Sequence, residues 1–179
     1  IDPFVRKYSV KIARPDLSDL RSYAERLIDA VGQTADDKIN QKFSAGPALL
    51  RKLPALLDGQ ERELTAVCHG QNIIALEKGN TQADLYGLAV DVGTTTVVAA
   101  LVNLADGRTE AVASQTNPQI SFGDDVIRRI EFSGSSSDGL DKLNRNIIDC
   151  INNLVVQLCE KAQIKSNHIY ELTAAGNTT

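Results

Sequence analysis

The amino-acid sequence predicts a small α+β domain over residues 5–80, followed over residues 85–179 by an α/β half-domain with a mixed sheet and a long helix. Strand-like alternation and an amphipathic helical pattern occur together in the first stretch. The second holds three successive strand patterns, a long helical stripe and a last strand pattern. Between them, residues 78–84 are polar and aperiodic, which is typical of a domain boundary.

Charge and hydropathy exclude several classes of partner. The chain of 179 residues has 19 Lys and Arg against 23 Asp and Glu, and its net charge of −4 gives no general attraction to nucleic acid or anionic membranes. No apolar run approaches the roughly 18 residues of a spanning helix and no signal peptide is visible, so we expect a cytoplasmic protein. Residues 1–4 resemble the remnant of a cleaved cloning tag, so we expect the natural N-terminus to be missing.

Residues that commonly bind metals are sparse. Cys68, Cys150 and Cys159 form no CxxC pair, which predicts buried, reduced thiols rather than disulfides or a zinc or iron–sulfur site. His69 and His168 have no second ligand at metal-binding spacing, so we assign no metal to either.

The first domain opens with a strand and a helix. Alternation over residues 7–13 predicts a half-buried strand that ends at Arg14-Pro15. Asp16 or Ser18 is expected to cap the helix that follows, and Gly32 is expected to close it. Its predicted apolar face comprises Leu17, Leu20, Ala24, Leu27, Ile28 and Val31. Farther along, residues 47–57 predict one short helix, and two strands flank a turn at residues 69–72.

The second domain begins as a strand meander. Residues 85–90 form a nearly continuous apolar run, which predicts a strand buried on both faces. Residues 97–104 and 109–114 predict two more strands around an Asp106-Gly107 turn.

Helices dominate the rest of the second domain. Residues 124–130 predict a short helix, and residues 133–137 a flexible Ser/Gly segment. A long helix is predicted from residue 138 to 162, with the apolar stripe Leu140, Leu143, Ile147, Ile151, Leu154 and Leu158. Residues 169–174 predict the last strand.

The loop from Asp91 to Thr96 holds the groups from which phosphate sites are made. Gly93 permits close approach of a ligand, while backbone N–H groups and the hydroxyls of Thr94, Thr95 and Thr96 can donate to phosphate oxygens. Asp91 can hold Mg²⁺ through water. An ordinary Thr-rich β-turn is the alternative.

Four motifs occur in one order: residues 86–97 (YGLAVDVGTTTV), Asn117-Pro118-Gln119, residues 122–130 (FGDDVIRRI) and residues 175–179 (AGNTT). The order of elements resembles the opening of the actin/Hsp70/sugar-kinase superfamily, which has a ribonuclease H-like fold. Within it, the motifs look like those of the reductive activators of corrinoid enzymes (the RACE family). Residues 85–179 carry this resemblance strongly, and residues 5–80 more weakly, as that family's middle domain.

The resemblance implies a parent enzyme that hydrolyses ATP with Mg²⁺ and supports reduction of a Co(II) corrinoid protein to Co(I) for methyl transfer in anaerobic metabolism. The implied partner is the corrinoid protein of a methyltransferase system, and a homodimer is considered as well. Family members carry an N-terminal [2Fe–2S] domain and a second half of the ATPase fold. Both are absent from this sequence, so we expect a truncated fragment that is inactive alone.

Other segments keep two interpretations. Gly176, Asn177 and Thr178 are expected beside the Asp91 loop, where they line the same cleft or form a plain strand-to-helix turn. Asn117-Pro118-Gln119 is either a functional loop or a turn that caps the next helix through Asp124.

Two further expectations concern charge and function. Arg128 and Arg129 are expected on a solvated helix face and receive no role. Two other functions remain open: a small-molecule kinase, which needs a carboxylate base that we cannot assign, and a docking or dimerisation module formed by residues 5–80.

Overall fold

The computed structural model describes residues 3–14, 16–35, 42–58, 62–135 and 137–177. The chain forms two compact units, one up to Leu85 and one from Tyr86. The predicted tag remnant at Ile1 and Asp2 and the strand-ending Pro15 lie outside the described residues. Every helix in the part that the structure describes is too short or too polar to span a membrane.

The first unit is α+β, as predicted. Its sheet has the order β1-β3-β4-β2, in which β3 is antiparallel to β1 and β4, and β2 is parallel to β4. Helix α1 packs on this sheet through the fully buried Leu27 and Val31. The elements are β1 (Val5–Lys11), α1 (Tyr23–Thr34), β2 (Ser44–Ala45), α2 (Pro47–Leu50), α3 (Leu53–Leu56), β3 (Glu63–His69) and β4 (Asn72–Lys78).

Helix α1 begins later than the sequence pattern indicates. Its cap is Ser22, which forms a reciprocal capping box with Glu25. Asp16 instead accepts hydrogen bonds from the N–H groups of Ser18 and Asp19, which makes a local turn. Leu17 and Leu20, placed on the apolar face by sequence spacing, are 97% and 85% exposed. The predicted caps at Asp16 and Ser18 are therefore wrong, as is closure at Gly32, because the helix continues to Thr34.

The single helix predicted over residues 47–57 is two short ones, α2 and α3. Pro54 has no N–H to donate to the carbonyl of Leu50, so a continuous helix would lack that bond. The chain turns at Arg51 and Lys52, and α3 starts again with the N–H of Leu56 bonded to the Lys52 carbonyl at 3.1 Å.

Lys7, which the alternation placed on the polar face of β1, is buried. Its side chain is 1% exposed, and Nζ lies 2.6 Å from Glu77 Oε2 and 2.7 Å from the Asp84 carbonyl oxygen. The fully buried Thr65 donates to the Gly79 carbonyl and accepts from the Thr81 N–H. The polar segment before the second unit is therefore fastened to the first unit.

The second unit has the predicted mixed sheet and long helix. In the order β7-β6-β5-β8, the first three strands form an antiparallel meander and β8 runs parallel to β5. Cys150, Leu154 and Leu158 of helix α5 are buried in a core with the sheet. The elements are β5 (Tyr86–Val92), β6 (Thr96–Asn103), β7 (Thr109–Thr116), α4 (Val126–Ser135), α5 (Gly139–Ala162) and β8 (Ile169–Gly176).

Strand β5 is not buried on both faces. Leu88 and Val90 belong to the core under α5, whereas Ala89 and Asp91, which alternate with them, are exposed. Leu140 also lies outside the core, with 68% exposure.

Helix α4 extends into the segment predicted as flexible, as far as Ser135. The hydroxyls of Ser133 and Ser135 donate to the carbonyls of Ile130 and Phe132, three residues earlier, and so bond within the helix. At the other end, the Asp125 side chain, rather than that of Asp124, accepts the N–H of Arg128 at 2.8 Å.

Candidate functional site

A tight turn from Gly93 to Thr95 joins β5 to β6. The N–H of Gly93 donates to the Thr96 carbonyl at 3.0 Å. A Cβ atom on Gly93 would lie 2.6 Å from that oxygen, closer than real Cβ contacts permit. Glycine is therefore required for the turn in this form, because the Thr96 carbonyl of the same chain occupies the space that a Cβ would need.

Three successive carbonyl groups of this turn are held from one side. Asn117 Nδ2 donates to the Gly93 oxygen at 2.9 Å, Arg129 Nη2 to the Thr94 oxygen at 2.6 Å, and the Asn117 N–H to the Thr95 oxygen at 2.8 Å. In a planar trans peptide the N–H points opposite to the preceding carbonyl. The N–H groups of Thr94 and Thr95 are therefore directed away from Asn117 and Arg129.

Asn117 is the buried centre of this arrangement. The residue is 1% exposed, and its Oδ1 accepts the N–H of Gln119 at 2.9 Å, which starts a 3₁₀ turn over Pro118–Phe122. An amide serves here because it donates and accepts at once. In the described structure, Asn117 holds the β5–β6 turn and starts the 3₁₀ turn. These bonds give it a structural role beside the candidate site, and they do not decide between the two interpretations of Asn117-Pro118-Gln119.

Arg129 and Arg128 have opposite surroundings. Arg129 Nε donates to the Gly123 carbonyl at 2.8 Å, and Gln119, within 3.4 Å of Nη1, donates to the Leu143 carbonyl of α5 at 3.0 Å. Arg128 is 66% exposed and pairs with Asp124 at 3.2 Å. The expectation of a solvated face is wrong for Arg129, because its guanidinium holds the β5–β6 turn.

A cavity of about 260 Å³ opens beside the turn, between the end of β5 and helices α4 and α5. Polar and apolar side chains both line it, and among the described lining residues Arg129 is the charged one. The lining comprises Val92, Gly93, Thr94, Asn117, Gln119, Val126, Arg129, Ile130, Ser133, Leu140, Leu143, Asn144, Ile147 and Asn177.

The predicted site residues divide between this cavity and the outer side of the hairpin. Gly93, Thr94 and Asn177 line the cavity. Gly176 pairs with Val92 in the parallel ladder, which places the end of β8 beside the turn.

The remaining predicted site residues lie elsewhere. Asp91, Thr95 and Thr96 are exposed, and Asp91 lies on the sheet face opposite Val92 and the cavity. Thr178 lies outside the described residues.

Sequence reasoning missed the supporting role of Gln119 and Arg129. A glycine followed by an arginine six residues later was the available local signal. The structure shows why glycine is needed at position 123: a Cβ atom there would lie 2.8 Å from the backbone nitrogen of Arg129.

Cysteine and histidine residues form no metal site in the described structure, where no three metal-ligating side chains come together. Cys68 and Cys150 are buried, as predicted, and Cys159 is half-buried. Burial raises the pKa of the Cys68 thiol to about 12 and also raises the pKa of Cys150 and Cys159.

Comparisons with known proteins agree on one family. The family model described as "RACo middle region" matches residues 86–179, and the family model described as "RACo linker region" matches residues 1–83. The middle region is thus the second unit rather than residues 5–80, to which the resemblance had assigned it.

Two relatives match nearly the whole chain. "Corrinoid activation enzyme RamQ" of Eubacterium limosum is 33% identical over 186 aligned residues, which cover 99% of this chain and 29% of RamQ. The solved structure of a "Reductive activator for corrinoid,iron-sulfur protein" aligns with a TM-score of 0.80 and 31% identity, over 99% of this chain and 28% of that one. The chain therefore spans less than a third of the length of each.

Proposed function

Because the chain belongs to the RACo family, whose linker and middle regions it matches, we propose that it supplies the phosphate-binding turn of an ATP-dependent activator of corrinoid proteins. The parent protein would use ATP to support the return of an inactive Co(II) corrinoid to Co(I), the state that accepts a methyl group. Its partner would be the corrinoid protein of a methyltransferase system.

The observation that supports nucleotide binding is the orientation of the β5–β6 turn. Its carbonyl groups are occupied by Asn117 and Arg129, so the N–H groups of Thr94 and Thr95 are directed to the other side. Successive N–H groups presented together form an anion-binding concavity. The exposed hydroxyls of Thr95 and Thr96 add donors at the same tip.

Asp91 is the residue proposed to hold magnesium. It is an exposed carboxylate at the end of β5, two residues before the turn. Mg²⁺ keeps several of its waters and is commonly held by one or two carboxylates together with substrate phosphates. An indirect contact through water fits a single carboxylate placed near, rather than within, the turn.

An iron–sulfur cluster does not fit the described residues. The thiols of Cys68, Cys150 and Cys159 belong to different elements, and no set of three ligating side chains is present in the described part. A [2Fe–2S] cluster, which would supply single electrons, is therefore proposed for another part of the parent protein and not for this chain.

Nucleotide can assist an uphill reduction only if it favours one of two states. The free energy that ATP contributes to such a change equals the difference in its affinity for the two states. We propose that these states differ in affinity for the corrinoid protein, with the β5–β6 turn as the part that senses the nucleotide.

The small-molecule kinase is the alternative for the same turn. A kinase of this kind needs a carboxylate that accepts the proton of the substrate hydroxyl. The described residues that line the cavity offer amides, hydroxyls and one guanidinium, but Asn117 and Arg129 among them lie on the side of the turn away from the Thr94 and Thr95 N–H groups, so the cavity favours neither function.

The test uses the parent protein under anaerobic conditions. ATP hydrolysis is measured with and without a Co(II) corrinoid protein while the cobalt spectrum is followed. We expect hydrolysis stimulated by the partner, with Co(I) forming when a reductant and the iron–sulfur domain are present. Indifference to the corrinoid protein, with phosphate passed to a small hydroxyl or carboxyl compound, would instead establish a kinase.

A pair of variants tests the magnesium residue. Asp91→Ala is expected to abolish Mg-ATP turnover without unfolding the protein, because the carboxylate is exposed and holds no part of the core. Asp149→Ala removes an exposed carboxylate from α5 and should leave turnover unchanged. Wild-type turnover in Asp91→Ala would remove the magnesium assignment.

A further inference from the structure

Among the described residues, Arg129 directs its charge at the turn and pairs with no carboxylate. Its described hydrogen bonds go to the Thr94 carbonyl at 2.6 Å, the Gly123 carbonyl at 2.8 Å and Gln119 Oε1 at 3.4 Å. The nearby carboxylate of Asp124 pairs with Arg128 instead. The positive charge of Arg129 is therefore not neutralised by an ion pair within the described structure and lies at the turn itself.

The bond to Thr94 controls one peptide group. The Thr94 carbonyl and the Thr95 N–H belong to the same rigid plane, so the guanidinium that holds the first also sets the direction of the second. The peptide before it is held separately by Asn117, whose Nδ2 bonds the Gly93 oxygen at 2.9 Å. Loss of Arg129 should free the Thr94–Thr95 peptide and leave the rest of the turn in place.

The arginine is in turn held by the helix that carries it. The guanidinium donates to the carbonyl of a residue 35 positions earlier in the sequence. Its Nε also donates to the Gly123 carbonyl, because the chain before α4 folds back closely there. Gln119 connects the same group to the Leu143 carbonyl of α5. A displacement of α4 would therefore move the turn.

We propose that Arg129 is a positioning residue that orients the Thr95 N–H toward a bound phosphate, which makes α4 part of the nucleotide site. This inference rests on the proposed function, in which the turn binds the phosphates of ATP. The positive charge beside Thr94 adds attraction for an anion at the turn. A lysine at this position has no planar fork and cannot reach both carbonyls and Gln119 in the same geometry.

The first experiment measures nucleotide affinity in the parent protein for Arg129→Met, Arg129→Lys and the matched control Arg128→Met. We expect Mg-ATP to bind about tenfold more weakly to Arg129→Met, since a hydrogen bond from a charged group and its field are lost. Arg129→Lys should be intermediate and Arg128→Met unchanged. Adenosine, which has no phosphate, should bind equally to all four proteins.

The second experiment needs no nucleotide. Backbone ¹⁵N relaxation of Thr95 is followed by NMR in this chain, and we expect a lower order parameter, and so a more mobile Thr94–Thr95 peptide, in Arg129→Met than in Arg128→Met. An unchanged order parameter and unchanged Mg-ATP affinity in a folded Arg129→Met would overturn the proposal. If Arg129→Met does not fold, the same two measurements on Arg129→Lys decide, and wild-type values there would overturn it.

The two experiments separate this inference from the proposed function. If the wild-type parent protein binds no nucleotide, the proposed function fails, whereas the relaxation measurement still decides whether Arg129 positions the turn. An equal loss of adenosine and Mg-ATP binding in Arg129→Met would show a general structural role and would also overturn the proposal.

Discussion

Lys7→Met is expected to destabilise the first unit by about 3 kcal/mol, because it removes the Lys7 cation from the carboxylate of Glu77, whose side chain is 12% exposed. Lys7 Nζ forms short bonds to Glu77 Oε2 at 2.6 Å and to the Asp84 carbonyl at 2.7 Å, and a longer bond to the Thr81 carbonyl at 3.3 Å. The short bonds, each from a charged donor, contribute roughly 1.5–3 kcal/mol apiece. Burial of the apolar Met side chain returns part of that loss.

Native-state hydrogen exchange of peptides from β1, β3 and β4 measures this change without assuming that both units unfold together. A loss of this size corresponds to roughly 100-fold faster exchange of the protected amides. Lys11→Met is the matched control, since Lys11 is exposed on the same strand. Lys7→Met/Glu77→Leu should recover most of the stability because it removes both charges. Equal exchange in Lys7→Met and Lys11→Met would refute the buried-pair argument.

Two further predictions concern the first unit. Hydrogen bonds from Ser22 lower the pKa of Glu25 below its ordinary value of 4.5, so its stabilisation of α1 is present above that pH and lost as the pH falls through the lowered value. Urea denaturation should accordingly show Glu25→Gln as less stable than wild type at pH 7 and equal to it in strong acid; a constant difference would contradict this. Cys68, with its pKa raised to about 12 by burial, should resist alkylation at pH 8 until urea unfolds the chain, and rapid labelling of the native protein would show that it is accessible.

Helix and strand patterns were predictable where one periodicity dominated. Leu143, Leu154 and Leu158 repeat at helical spacing, and all three are buried as expected, the last two in the core with the sheet. The start of α1 was not predictable from apolar spacing, because Leu17 and Leu20 continue the pattern in a segment that Asp16 folds into a turn. Local side-chain bonds to the backbone decided that boundary.

The candidate site shows the same division. The turn at Gly93 could be predicted because a glycine and three threonines follow a buried strand over a few residues. Its support could not, since Asn117 and Arg129 lie 24 and 35 residues from the carbonyls they hold. Arg129 and Arg128 are adjacent and chemically identical, so only packing distinguishes their roles.

The sequence by itself determined the α+β and α/β division, the long helix and the location of the turn at Gly93, because each depends on residues close together in the chain. The tertiary structure decided which cations are buried, where the cavity lies and which way the turn presents its N–H groups. Burying Lys7, or partly burying Arg129, is favourable only when acceptors from distant elements surround the charge. Those acceptors come together only after the sheets and helices have packed.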